Sequence, residues 1–232
     1  MLIWLASYPR SGNTFARIIL NEAFGIKTQS LSGDGDDRVF GSRPSLIETV
    51  GHQKSDRRGL ELADEARSSA KLYIIKTHEP PLTDDPCIYI VRDGRSALIS
   101  YYHYIREIEN FQISLESVIR GHVYGGSWSE HFTTWNPANR PNTIVLRYEE
   151  ITRNPDEAIR RIGNFCAITP QRQTLQSFDD LHKIHPEFFR GGNDDKNILE
   201  IMPCYDQFVL LHGAVMAQLG YGQDLSYELE AR

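Results

Sequence analysis

Leu2 to Ala6 is a continuous apolar run that stops at Ser7-Tyr8-Pro9-Arg10-Ser11-Gly12, and Phe15, Ile18, Ile19, Leu20, Ala23 and Phe24 then recur at helical spacing. A buried strand, a tight loop and a helix are the first unit. Two further short runs, Leu72 to Ile75 and Ile88 to Val91, are rich in β-branched residues, and the second leads straight into an apolar-periodic helix beginning near Gly94. A fourth run, Thr143 to Leu146, follows the breaker-rich segment Asn136 to Pro141. Helices are predicted over Pro155 to Phe165, with Asn154 as N-cap, and over Cys204 to Leu219 ahead of Gly220. Strands that alternate with helices over one domain's length predict an α/β chain: three layers, with a mostly parallel central sheet flanked by helices.

The 232 residues suit a single domain, 1–232, with no internal repeat and no linker. Two stretches are expected to leave its core, 27–70 and 101–130. The first is polar and carries Asp34, Asp36 and Asp37, with one amphipathic stretch near Leu60 to Ala66. With 25 Lys+Arg against 31 Asp+Glu, the net charge of -6 repels polyanions. Nucleic acid is therefore not an expected partner, and an anionic ligand needs a local cationic cluster. Cys87, Cys166 and Cys204 form no CxxC pair and read as thiols in a reducing compartment. The opening MLIWLA is too short for a signal peptide, and the run from Phe208 to Ala217 falls far short of the roughly 20 residues of a membrane span. No membrane partner is expected, and the default location is the cytoplasm.

Three strand ends carry chemistry. The loop after the first strand places a cation, Arg10, a glycine, Gly12, and the hydroxyls of Ser11 and Thr14 ahead of a helix N-terminus, where unpaired amides and the helix dipole favour an anion. A structural turn has the same composition about as often, and the loop is not a Walker A motif, since GxxxxGK[ST] is absent. At the end of the next-to-last run Arg92 is followed eight residues later by Ser100, a pair able to grip one phosphate. Lys76 and His78 end the remaining strand two residues apart, so in an extended chain both side chains point the same way. A histidine suits general-base work and a neighbouring lysine stabilises developing negative charge.

Taken together, Tyr8-Pro9-Arg10-Ser11-Gly12-Asn13-Thr14-Phe15, Lys76-Thr77-His78-Glu79-Pro80 and the stretch from Val91 to Tyr104 resemble, in order and spacing, the cytosolic-type sulfotransferases that use 3′-phosphoadenosine 5′-phosphosulfate (PAPS). Gly121 to Trp135 looks like the YGSWxxHxxxW region of that family, and Leu146-Arg147-Tyr148-Glu149-Glu150 is similar to its YED strand end. The resemblance implies a P-loop-nucleotide-kinase-like sulfotransferase fold, PAPS as co-substrate, adenosine 3′,5′-bisphosphate (PAP) as product, and no metal. Carried over by position, it assigns Arg10, Ser11, Gly12, Asn13 and Thr14 to the 5′-phosphosulfate and Phe15 to stacking on the adenine. Arg92 and Ser100 fall to the 3′-phosphate, Tyr148 to the adenine, and Arg190-Gly191-Gly192 to a second grip on the 3′-phosphate. His78 is implied as the general base, with Lys76 and Arg10 stabilising the transition state.

The chain departs from the family pattern in three places. Its first-loop cation is Arg10 where the family usually has Lys, so charge stabilisation persists while proton donation does not. The Arg-Lys-Gly element has Gly191 in place of its Lys and lacks the Trp that commonly follows, and the dimerisation motif is not visible near Ile198 to Phe208, which leaves the oligomeric state open. The implied reaction moves a sulfuryl group to a hydroxyl or amine of a small-molecule acceptor, whose pocket the stretches 27–70 and 101–130 would supply. Tyr101, Tyr102, Tyr104 and Tyr124 are candidates for its lining. Alternatives are a nucleotide kinase-like phosphotransferase and a PAPS-binding protein without catalysis.

Overall fold

In a computed structural model that describes residues 1–32, 44–172, 175, 183 and 199–222, the apolar runs are strands of one parallel sheet. β1 (Leu2–Ser7), β3 (Tyr73–Thr77), β4 (Cys87–Val91) and β5 (Thr143–Arg147) lie where the sequence puts them, and β2 (Gln29–Ser30) is an addition. The order is β2-β3-β1-β4-β5, and every neighbouring pair is parallel. β1 and β4 are buried at every position, which is why they read as unbroken apolar runs, whereas β5 at the sheet edge is mostly half-buried. β2 is two polar residues held only by pairing with Ile75 and Lys76 of β3.

The helices are α1 (Asn13–Phe24), α2 (Pro44–Val50), α3 (Gly59–Ser68), α4 (Gly94–Glu107), α5 (Leu115–Ile119), α6 (Trp128–Trp135), α7 (Tyr148–Arg153), α8 (Pro155–Cys166) and α9 (Tyr205–Gln218), the last entered through a 3-10 turn at Met202–Cys204. No helix among the described residues is long and apolar enough to cross a membrane. The described residues gather into two compact units. The first takes Met1–Ser7, Gly12–Val91 and the described part of Pro137–Gly191; the second takes Tyr8–Ser11, Arg92–Asn136 and the described part of Gly192–Arg232.

The first unit contains the sheet. On one face Ile3, Leu5, Ile74, Ile88, Ile90 and Leu146 meet the apolar side of α1, with α2, α7 and α8 completing the layer through Leu46, Val50, Ile151, Ile159 and Ile162. Residues between these alternate to the other face, where α3 packs on β1 and buries Leu62, Ala63 and Ala66. Helix, sheet and helix are the three layers expected. Much of the described part of 27–70 thus belongs to the core rather than to an excursion. Buried Arg17 of α1 fastens it: Nε donates to Thr28 Oγ1 (2.7 Å) and Nη2 to His52 Nδ1 (2.8 Å), across the bridge that joins Thr28 to His52. Asp34, Asp36 and Asp37 lie outside the described residues. α8 begins as predicted, with the Asn154 side chain accepting from the Glu157 amide at 3.3 Å.

The second unit is helical. The helix expected from near Gly94 is α4, which continues to Glu107 and carries Tyr101 to Tyr104. His212 of α9 has no exposed surface and ties three helices together. Its Nε2 donates to the Ile119 carbonyl of α5 (3.0 Å), its Nδ1 accepts from Ser129 Oγ of α6 (2.9 Å), and the Trp128 ring stands edge-on at 5.9 Å. Nε2 must carry the proton because a carbonyl only accepts.

Candidate active site

Within the first unit the strand register decides where function can sit. Ala6 is level with Thr77 of β3, and Ser7 with Ile90 of β4, so the carboxyl ends of three adjacent strands form one edge. The chain passes from β3 on one side of β1 to β4 on the other, and ligands of open α/β sheets bind at such a switch point. Lys76 is the penultimate residue of β3 and half-buried; His78 stands one residue beyond the strand.

The His78 Nδ1 lies 2.7 Å from the Ser7 carbonyl oxygen and 3.4 Å from Ser7 Oγ. The carbonyl can only accept, so Nδ1 carries the hydrogen and Nε2 of the neutral ring carries the lone pair. That is the tautomer a general base needs. Ser7 is itself held, because Asn13 Nδ2 donates to Ser7 Oγ and to the Leu5 carbonyl, both at 3.2 Å. The Asn13 side chain therefore clamps the strand end to the start of α1.

Gly12 caps α1 with φ 102° and has no side chain to cover the first-turn amides. A Cβ there would come to 2.5 Å from Tyr148 Cδ2, so the bare glycine is what lets the tyrosine ring lie against the loop. Tyr148 opens α7 straight after β5, a helix the sequence reading took for the end of a strand. Thr14 is half-buried in the first turn of α1. Phe15 is 3% exposed among the core residues, which gives it a packing role.

Within the second unit Arg10, Arg92 and Ser100 come together. Arg10 adopts a left-handed backbone at φ 63°, uncommon for a residue with a Cβ. Its Nε donates to Ser100 Oγ at 3.3 Å, and its guanidinium carbon lies 5.0 Å from the centre of the Tyr104 ring. Arg92, 8% exposed, donates from Nη1 to the Arg10 carbonyl at 3.2 Å. The Ser11 amide closes the turn onto the Tyr8 carbonyl (3.2 Å), and the buried Ser11 Oγ has no hydrogen-bond partner among the described residues. A buried hydroxyl without a partner costs free energy unless a ligand meets it.

Several contributors in the two units carry no motif. Asp93 caps α4, accepting from the Arg95 amide at 2.8 Å, and also pairs with the Arg95 guanidinium at 2.6 Å. Both side chains are buried, and an Asp directly before a helical run was the available signal. Tyr104 is a candidate for pocket lining or plain packing by sequence, and nothing in its spacing shows that it meets Arg10. The Ser7 carbonyl is backbone and leaves no trace in sequence. Of the four tyrosines, Tyr101 is 4% exposed and its hydroxyl donates to the Tyr124 carbonyl at 3.0 Å, which makes it a packing residue. Arg190, Gly191 and Gly192 lie outside the described residues.

The sulfotransferase domain family matches residues 2–184. The chain belongs to that family. Among similar sulfotransferases, Sulfotransferase 1B1 of Mus musculus is 27% identical over 188 residues, covering 75% of this chain and 60% of that protein. Sulfotransferase 1A1 of Canis lupus familiaris is 25% identical over 206 residues, 82% of this chain and 65% of that one. The chain thus spans less than two thirds of the length of these relatives. The crystal structure of mouse sulfotransferase SULT7A1 complexed with PAP has the same fold, with a TM-score of 0.51 at 21% identity over 81% of this chain and 64% of that chain.

Proposed function

We propose that the chain is a cytoplasmic PAPS-dependent sulfotransferase, with 1–232 as one catalytic domain, that sulfates a hydroxyl or amine of a small molecule and releases PAP. The observation that carries the reading is the 2.7 Å contact between His78 Nδ1 and the Ser7 carbonyl, which puts the lone pair of the neutral ring on Nε2, two residues beyond Lys76 at the carboxyl edge of the sheet. Family membership and the PAP found in the SULT7A1 structure support the choice of co-substrate.

The residues present fit such a molecule. Ser11 Oγ is a buried donor awaiting an acceptor, and the bare Gly12 lets the Tyr148 ring lie against the loop. In this reading the first-turn amides of α1, with Ser11, Thr14 and the Arg10 guanidinium, hold the 5′-phosphosulfate. Arg92 and Ser100 hold the 3′-phosphate, assisted by Arg190, Gly191 and Gly192. Tyr148 faces the adenine; Phe15, buried in the core, supports the loop from beneath.

PAPS supplies the sulfuryl group and a bisphosphate leaving group. His78 Nε2 takes the proton of the acceptor hydroxyl or amine as its oxygen or nitrogen forms the new bond to sulfur. Lys76 and Arg10 stabilise the charge that gathers on the sulfuryl oxygens and on the bridging oxygen as its bond to sulfur breaks. The chain supplies positioning and charge by the logic of phosphoryl transfer.

Calorimetric titration tests the reading. PAP is expected to bind with clear preference over ATP and 5′-AMP, and Arg92→Ala to weaken it by about 10- to 100-fold, the worth of one charge-assisted hydrogen bond. Equal affinity for the three nucleotides would sink the sulfotransferase reading and favour a kinase-like phosphotransferase.

A further inference from the structure

Arg10 stands where the family usually has lysine, and its surroundings are built for a guanidinium. Ser100 and Tyr104 are four residues apart on α4, so they lie one above the other on one helix face. Arg10 uses both: its Nε donates to Ser100 Oγ at 3.3 Å while its guanidinium carbon sits over the Tyr104 ring, 5.0 Å from the centre. A lysine has no Nε–H along its stem and no planar face, so it cannot reproduce this combination of a stem hydrogen bond and a fork held over the ring. The backbone is fixed as well, because the left-handed turn at φ 63° is braced by Arg92 at the Arg10 carbonyl.

We propose that Tyr104 is a positioning residue for Arg10. Its ring sets the plane of the guanidinium through a cation–π contact, so that the fork meets the 5′-phosphate end of the nucleotide in a fixed orientation. Tyr104 touches neither nucleotide nor reacting atoms in this role; it acts through Arg10. The inference rests on the PAPS reading and makes Arg10 and Tyr104 a matched pair.

A double-mutant cycle read by calorimetry with PAP tests it, on the full chain, with circular dichroism and thermal melts to establish that each variant is folded. An exposed-to-buried cation–π contact is worth about 1 kcal/mol, so Tyr104→Leu is expected to weaken PAP about fivefold. Tyr104→Phe, which keeps the ring, stays within about twofold of the parent. In an Arg10→Met background Tyr104→Leu has no further effect, whereas a merely structural tyrosine loses the same factor in both backgrounds. Equal losses in both backgrounds, or no loss in Tyr104→Leu, overturn the positioning role while PAP binding by the parent keeps the functional reading intact. Failure of the parent protein itself to bind PAP overturns both.

Discussion

Replacing His212 isolates a pH-dependent contribution to stability. The ring is wholly buried, and burial lowers its pKa from 6.5 to about 4, although the hydrogen bond to the Ile119 carbonyl works the other way. Its environment admits only the neutral form comfortably, with Phe208 at 5.2 Å and Trp128 at 5.9 Å around it. The unfolded chain therefore takes up a proton first as pH falls, and stability present above pH 6.5 is lost on the way down to pH 4. Linkage over that interval puts the loss at about 2 kcal/mol between pH 7 and pH 5 and about 3 kcal/mol by pH 4. His212→Asn has no proton to take up in this range. Urea unfolding followed by tryptophan fluorescence, which samples Trp128 beside the ring, is expected to show the wild type losing stability faster than His212→Asn by these amounts. Parallel pH dependences for the two proteins would refute the reasoning.

Gly12→Ala combines a left-handed residue with a Cβ 2.5 Å from Tyr148 Cδ2; a loss of about 1–3 kcal/mol and weaker PAP binding are expected in thermal melts and calorimetry. Asp93→Ala removes both the cap of α4 and the partner of buried Arg95, with an expected cost of about 3–5 kcal/mol in denaturant unfolding, while Asp93→Asn retains the cap and loses less. Burial raises the Cys87 thiol to about 12 and the Cys166 thiol to about 11. Iodoacetamide at pH 8 is therefore expected to label Cys204 in the native protein, and the other two only after unfolding, as read by peptide mass spectrometry.

The sheet was legible because β1 and β4 are buried on both faces, so their sequences are apolar at nearly every position and cannot pass for loops. β2 was not, since Gln29 and Ser30 are polar and exist as a strand only through β3. α6 carried a readable start in Ser127 and Glu130, whose amide donates to the Ser127 hydroxyl at 3.5 Å, but it lay within a stretch treated as an excursion. For the site, the residue types at the strand ends were visible, and so was the expectation that Arg10, Arg92 and Ser100 serve anions. What sequence cannot hold is orientation. The tautomer of His78 depends on a backbone carbonyl 71 residues away, and the plane of Arg10 depends on a tyrosine met only after folding. The side chain of Asn13 likewise clamps Ser7, a role that its place in a loop expected to bind an anion does not suggest.

In the proposed reaction His78 Nε2 is the base of the sulfuryl transfer. Incubation of the protein with PAPS and a panel of phenols, alcohols and amines, with PAP release followed by chromatography, tests it most directly. Acceptor-dependent PAP release is expected, and in His78→Ala a loss of at least about 100-fold in turnover with PAP affinity unchanged. Turnover in His78→Ala equal to that of the parent would contradict it.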